Sequence, residues 1–290
     1  MTEHTDLLLP GTLWDSIRGR TEHALATGAL QPIPTECETL RDGGIDFQVR
    51  IAPSLEQKIA EVRDQRKREA AGEKTDPFAD PEPDLYLGSL TPAHFALLNK
   101  FPVLEHHLLI VTWGYEDQQT LLTHPDFTAL DVALSEIDGL ILYNAGPPAG
   151  ASQPHKHLQL VPLPFNDAGP RLPVDALLEP EQLPETPTTD TRLPFPHAAC
   201  RVDVRNRSSG ELEEIYYALR QTLGIWEEST PYNFLATRHW MMLVPRVRER
   251  FEGIMINALG FAGGFLVRNH QDLEHLRVTG PMRVLQGVSQ

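Results

Sequence analysis

The sequence predicts an α+β chain, an antiparallel sheet with flanking helices arranged as two related halves, and three observations predict it. Within residues 155–161, period two puts His155, His157 and Gln159 on one side and Leu158 and Leu160 on the other, the pattern of a strand with one packed face. Helical periodicity bounded by start and stop residues recurs between such strands, as over residues 211–223, where Leu212, Ile215, Leu219 and Leu223 form one stripe. The chain also echoes itself: residues 106–112 (His-His-Leu-Leu-Ile-Val-Thr) align without gaps to residues 239–245 (His-Trp-Met-Met-Leu-Val-Pro). Residues 143–146 match 256–260 more faintly. With 290 residues and 41% hydrophobic content, the chain can bury a sizeable core in two intimately packed halves.

The elements follow in order. Thr12-Leu-Trp-Asp15 reads as a capping box with Asp in place of Glu, opening an amphipathic helix to Ala26 that Gly28 stops. Residues 47–51 read as a strand. Residues 55–71 read as a helix whose basic run, Arg63 to Arg68, is interspersed with acidic residues as on a solvated face. Thr91-Pro92 has the order of an N-cap and first helical residue, predicting a short helix that ends near Asn99-Lys100. Residues 106–112 read as a strand with His106, Leu108 and Ile110 on one side. Residues 126–138 read as a helix capped by Asp126 and ended by Gly139, and residues 140–143 as a buried strand leading into Asn144. Residues 165–196, rich in Pro, Asp, Thr and Glu, read as an irregular excursion or flap. Strands follow the helix of 211–223 at residues 232–237, 240–244, 254–257 and 265–267. The organisation expected is a catalytic half (1–164), a Pro-rich irregular excursion (165–200) and a C-terminal half (201–290) that completes the pocket.

Composition narrows the function. A formal charge of −15 excludes generic nucleic-acid binding, which needs a basic field. No apolar run approaches the roughly 18 to 20 residues of a membrane span, and the first residues lack the basic start of a signal peptide. A cytoplasmic protein is expected. Cys37 and Cys200 form no CxxC pair and suggest no disulfide scaffold.

Chemistry concentrates between Asn144 and Gln159. Residues 144–154 form a Gly/Pro/Ser/Ala loop in which Gly146 and Gly150 can adopt angles forbidden to other residues and turn N–H groups inward together, as a phosphate requires. On the strand that follows, His155, His157 and Gln159 share one face and Leu158 and Leu160 the other. Imidazole attacks phosphorus at neutral pH without first losing a proton. Metal ligation by the same pair needs a third or fourth ligand, and no acidic residue follows until Asp167.

The pattern Asn-x-Gly-x3-Gly-x-Ser-x2-His-x-His-x-Gln resembles the active-site motif of the histidine-triad superfamily. Gln in the third place resembles its transferase branches, the diadenosine tetraphosphate phosphorylases (ATP adenylyltransferases) and the galactose-1-phosphate uridylyltransferases. Residues 98–112, 232–245 and 257–263 resemble blocks of the phosphorylases. The fold implied is a histidine-triad-like antiparallel sheet. The resemblance implies phosphorolysis of diadenosine tetraphosphate (Ap4A) to ATP and ADP, with His157 forming a covalent AMP-histidine. His155 would orient that ring or contact phosphate, and Gln159 would hydrogen-bond without carrying a proton. The amides around Gly150, Ala151 and Ser152 would stabilise phosphate charge. Lys58 would reach the phosphate chain, Asn144 and Asn99 would lie near the nucleotide, and His106 would lie near the site. Asp76-Pro-Phe78 stands where relatives commonly carry Asn-Pro-Phe. A divalent cation, usually magnesium, is implied as an assistant to the polyphosphate rather than as an ion in a protein site. The substrates implied are small nucleotides and phosphate. If both halves share a fold, the intrachain pair substitutes for a two-fold dimer, and a monomer is expected. A hexose-1-phosphate nucleotidylyltransferase and a non-catalytic nucleotide-binding protein are the alternatives. The missing CxxC weighs against the former, because many uridylyltransferases build a structural metal site on one.

Overall fold

The computed structural model describes residues 6–53, 76–165 and 169–290. Lys58, the helix expected over 55–71 and its basic run lie outside the described residues. Eight strands form one antiparallel sheet in the order β3-β4-β5-β7-β6-β9-β10-β8. They are β3 (Tyr86–Thr91), β4 (His94–Leu98), β5 (Leu108–Thr112), β6 (Gly139–Asn144), β7 (His157–Pro162), β8 (Ala198–Arg201), β9 (Tyr232–Ala236) and β10 (Trp240–Pro245). Alternation sorts their side chains to two cores. Ile141, Tyr143, Leu158, Leu160, Phe234 and Met241 pack under α1 (Leu13–Thr27), α2 (His124–Glu136) and α4 (Ser209–Thr222). Leu140, Leu142, Val161, Leu235, Trp240 and Met242 face the other way. There they meet a second sheet of β1 (Glu36–Asp42), β2 (Ile45–Ile51) and β13 (Gly264–Val267).

Short elements complete that second layer: α3 (Asp175–Leu178), β11 (Arg250–Phe251), β12 (Ile254–Met255), α5 (Ala258–Ala262), α6 (His270–Thr279) and α7 (Pro281–Ser289). Among the described residues no helix is long and apolar enough to cross a membrane. The described part of the 165–196 excursion is packed rather than flap-like. Leu172, Val174, Leu178, Leu183, Leu193 and Phe195 are all buried in the second core, which fixes a segment with little regular structure.

The two halves are visible in the register. The unit β5-α2-β6-β7, with β7 paired between β5 and β6, recurs as β8-α4-β9-β10, with β10 between β8 and β9. The pair Leu142↔Gln159 has its counterpart in Leu235↔Met242, and Ile110↔Leu158 in Cys200↔Met241. The alignment expected from sequence is corrected: β5 corresponds to β8, and it is β7 that corresponds to β10. His157 therefore falls opposite Trp240, whose indole Nε1 donates to Asp175 Oδ1 at 3.1 Å, and the second half holds no imidazole at that place. The halves are joined through β6 and β9, paired from Ile141↔Ala236 to Asn144↔Asn233.

Other expectations are corrected too. Residues 91–98 form a hairpin with β3 and not a helix, because the Thr91 hydroxyl accepts the N–H groups of Ala93 (3.3 Å) and His94 (3.1 Å) and closes a turn. The unbroken apolar run that follows is buried on both faces as β4. Thr12 does not cap α1 with its side chain. Its hydroxyl donates to Leu9 O, and the first helical amide, Leu13 N–H, is satisfied by Glu136 Oε2 at 2.8 Å from the end of α2. In α2 the cap is Thr123, and Asp126 is its partner three residues on, accepting the Thr123 amide at 2.8 Å.

Candidate active site

Three segments converge where β6 ends and β7 begins. Gly146 (φ 82°) and Gly150 (φ 90°) bracket a single 3-10 turn, Pro147–Ala149. A side chain at Gly150 would place its Cβ 2.7 Å from Ile256 O, so the close approach of two backbones excludes any other residue. Beyond this loop His157, Gln159 and Val161 point to one face and Leu158 and Leu160 into the helix-side core, as alternation predicts.

His157 is 5% exposed, and its geometry decides its chemistry. Nδ1 lies 2.8 Å from the carbonyl oxygen of His155, which only accepts, so Nδ1 carries the proton. Nε2 then carries the lone pair, and no described residue takes it. Burial pushes the ring pKa down to about 4, which keeps it neutral at physiological pH. The Phe78 ring stands edge-on at 5.3 Å. Gln118, 2% exposed, grips the strand: Oε1 accepts His157 N–H at 2.8 Å, and Nε2 donates to the carbonyls of Asn144 (3.0 Å) and His157 (3.2 Å). One carboxamide thus ties the ends of β6 and β7 together at His157.

His155 has both ring nitrogens engaged. Nδ1 is 2.9 Å from Asp76 Oδ2, and Nε2 is 2.9 Å from Thr112 O and 3.0 Å from its hydroxyl. It orients His157 through its carbonyl and has no ring atom left for a phosphate. Asp76 gains its role from the same contact, with Oδ1 accepting Phe78 N–H at 2.9 Å and so holding the aromatic beside both histidines.

The loop amides are placed differently from expectation. Gly150 N–H donates to Pro147 O (3.0 Å) and Ala151 N–H to Gly146 O (3.2 Å), so both close the loop on itself. Of the three amides expected to meet phosphate, that of Ser152 has no acceptor among the described residues. Asn144 is a bolt: Oδ1 accepts from Asn233 Nδ2 and from Ala258 N–H, each at 2.8 Å, which leaves its own amide hydrogens for a ligand. Arg246 secures the loop from below, donating to Ala149 O (3.2 Å), Ile256 O (2.9 Å) and Asn233 Oδ1. Burial lowers its guanidinium pKa to about 9.

His106 is corrected. It precedes β5 with φ 56°, packs on Trp14 and lies 3.3 Å from Thr21 Oγ1, away from the site. The histidine that reaches the site is its neighbour His107, whose Nε2 is 3.0 Å from Gln159 Oε1 and whose Nδ1 is 3.2 Å from Asn99 Nδ2. The parity of β5 is the usable signal: Leu108 and Ile110 fill the helix-side core, so His107 faces the other way, towards Gln159. Gln118, Asn233 and Arg246 carry no comparable signal, because their partners are mostly backbone atoms or come from distant segments.

Lys156 carries no sequence signal for its place in the fold. It points from the middle of His-Lys-His into the helix-side layer, 1% exposed, with Nζ 2.7 Å from Asp126 Oδ2, 2.8 Å from Leu121 O and 3.0 Å from Glu116 Oε2. His94 Nε2 meets the other Asp126 oxygen at 2.9 Å. Burial alone would raise the Asp126 pKa, but the His94 hydrogen bond and the Lys156 charge outweigh it and hold the group at about 2. Among the described residues no group of three or more His, Cys, Asp or Glu is arranged to hold a metal ion.

Comparison with known proteins agrees with this geometry. The profile of the Ap4A phosphorylase N-terminal domain matches residues 3–180, and that of the ATP adenylyltransferase C-terminal domain matches residues 191–290. Diadenosine tetraphosphate phosphorylase 2 of Saccharomyces cerevisiae is 28% identical over 93% of this chain and 91% of its own length. The crystal structure of yeast Ap4A phosphorylase Apa2 in complex with Ap4A superposes with a TM-score of 0.79 at 27% identity, covering 96% of this chain and 97% of that one. The AMP complex of the same protein gives 0.77 at 26% identity, with coverage of 96% and 97%.

Proposed function

This chain belongs to the Ap4A phosphorylase family, and from that premise we propose that it splits Ap4A with inorganic phosphate into ATP and ADP, using His157 as the nucleophile. The observation that carries the reading is the Nδ1 hydrogen bond to the His155 carbonyl, which leaves the Nε2 lone pair directed away from the strand. Nε2 attacks the first phosphorus of one adenosine, a P–N bond forms, and the P–O bond to the departing ATP breaks. The ring needs no base, because the proton stays on Nδ1, hydrogen-bonded to the His155 carbonyl, while the ring becomes cationic. An oxygen of phosphate then attacks the same phosphorus, ADP leaves, and the electron pair of the P–N bond returns to Nε2. Asn144 and Ser152 supply N–H donors towards the phosphate oxygens, and Gln159 supplies one to the leaving group.

The family reaction implies magnesium. The described donors around His157 are amides, a hydroxyl and imidazoles already hydrogen-bonded, and the one carboxylate nearby, Asp76, has its oxygens taken by His155 and the Phe78 amide, a poor set for a hard cation that prefers carboxylate oxygen. The described residues therefore do not build an ion site, and the reading is that the cation travels with the polyphosphate. The free thiols of Cys37 and Cys200 suit a reducing cytoplasm. Because β6 and β9 of one chain already join the two halves, a monomer suffices. The test is to incubate the protein with Ap4A, with and without phosphate, and to identify products. ATP plus ADP only when phosphate is present is expected. A requirement for a sugar phosphate as acceptor would favour the hexose-1-phosphate transferase instead, and no turnover at all would favour a binding protein.

A further inference from the structure

We propose that His107 is a positioning residue that locks Gln159 as a pure hydrogen-bond donor and thereby directs the adenylyl-histidine to phosphate in preference to water. The inference rests on the covalent reading above and adds to it what decides the second half-reaction.

Three side chains, Asn99, His107 and Gln159, are linked in a row. Asn99 Oδ1 accepts the amide of Phe101 at 3.3 Å, which fixes which end of the carboxamide faces His107, and its Nδ2 lies 3.2 Å from His107 Nδ1. Nδ1 is therefore the acceptor and Nε2 carries the proton. Nε2–H donates to Gln159 Oε1 at 3.0 Å. The amide oxygen of Gln159 is thereby held on the β5 side, and its Nε2, which meets no described residue, is the end left for the cleft. The same strands set the spacing: Leu109 pairs with Gln159, and Asn99 N–H donates to His107 O at 2.9 Å.

The chemical consequence follows from what each acceptor of the adenylyl group needs. Water attacking phosphorus must hand a proton to an acceptor, and a carboxamide oxygen turned into the cleft would hold such a water in place. Phosphate arrives already anionic and needs donors, which the locked Nε2–H2 group offers. In either case the P–N bond to His157 breaks and its electron pair returns to Nε2. The products differ, ADP from phosphate and AMP from water.

The experiment forms adenylyl-enzyme from Ap4A without phosphate, then adds phosphate at fixed concentration and measures AMP against ADP. His107→Leu removes the donor at similar volume and is expected to raise the AMP fraction about tenfold, as one lost hydrogen bond allows. His107→Gln, whose amide nitrogen falls near the place of Nε2, is expected to restore the wild-type ratio. Gln159→Ala is expected to shift the ratio in the same way, and His107→Leu to add nothing in that background. An unchanged ratio in His107→Leu, or fully additive effects in the double variant, overturns the proposal. Should His107→Leu not fold, an unchanged ratio in Gln159→Ala or a leucine-like defect in a folded His107→Gln overturns it equally. Absence of labelled enzyme in the wild type strikes the covalent reading instead, and an unchanged ratio with normal labelling strikes only the role of His107.

Discussion

Replacing Gln118 by Glu or by Ala tests the claim that one buried carboxamide sets the position of His157. In Gln118→Ala the His157 N–H loses its acceptor and two carbonyls lose a donor. A buried donor left unpaired costs about 1–3 kcal/mol, and the whole change about 3 kcal/mol. At about 1.6 °C per kcal/mol for 290 residues, from an unfolding entropy of about 2.1 cal/mol/K per residue, the midpoint falls by roughly 5 °C. Glu is nearly isosteric, yet it is expected to be worse than Ala at pH 7.5. Its second oxygen would face the Asn144 and His157 carbonyls as a buried anion. The sign with pH is definite: burial beside two carbonyls raises the carboxyl pKa above its unfolded value, so stability is retained below about pH 4.3 and lost as pH rises through the folded value. Thermal denaturation from pH 4 to 8, with adenylyl-enzyme formation in parallel, reads both effects. A Glu variant as stable as wild type at pH 7.5, or one whose deficit shrinks as pH rises, refutes the geometry.

The remaining predictions use the same structure. Because burial holds the His157 ring at about 4, adenylyl transfer should show no loss from protonation of its nucleophile between pH 8 and 5, which a pre-steady-state pH profile checks. The same ring resists a proton that the unfolded chain accepts, so stability should decline as pH falls from about 6.5 towards 4. His157→Gln should remove part of that decline in urea titrations. Asp126→Asn removes the closer and more buried of the two carboxylates on Lys156, leaving Glu116 at 3.0 Å, and should cost about 3 kcal/mol in denaturant unfolding. The wild-type contribution of Asp126 is present above pH 3.8 and lost as pH falls towards 2. Gly150→Ala places a Cβ against the Ile256 and Asn257 backbones at a positive φ, and should destabilise by more than about 2 kcal/mol while lowering the rate of labelling.

Local chemistry was legible and long-range partnership was not. His157 and Gln159 could be read because alternation and the two glycines act within fifteen residues of chain. His107 was confused with His106 because adjacent histidines differ only in strand parity, and parity shows only once β5 is known to begin at Leu108. The hairpin at residues 91–98 was missed because an unbroken apolar run has no period to separate a buried strand from a buried helix. Lys156 was passed over because a lysine on the packed face of a strand is stable only with partners, and Asp126 and Glu116 lie 30 and 40 residues away. The repeat was detected but misaligned, since apolar strands resemble one another and only pairing registers tell β7 from β5 as the counterpart of β10. Asp76 shows the reverse case: it stands near His155 in space and far from it in sequence, so only the fold reveals what its carboxylate does.

The most direct measurement is to mix the enzyme with Ap4A labelled at the phosphorus next to adenosine, omit phosphate, quench in alkali and map the label by mass spectrometry. A single AMP on His157, stable to alkali, labile to acid and discharged as ADP when phosphate is added, is the predicted result. AMP on another residue, or product formed at full rate by a chain that never carries the label, would contradict the account.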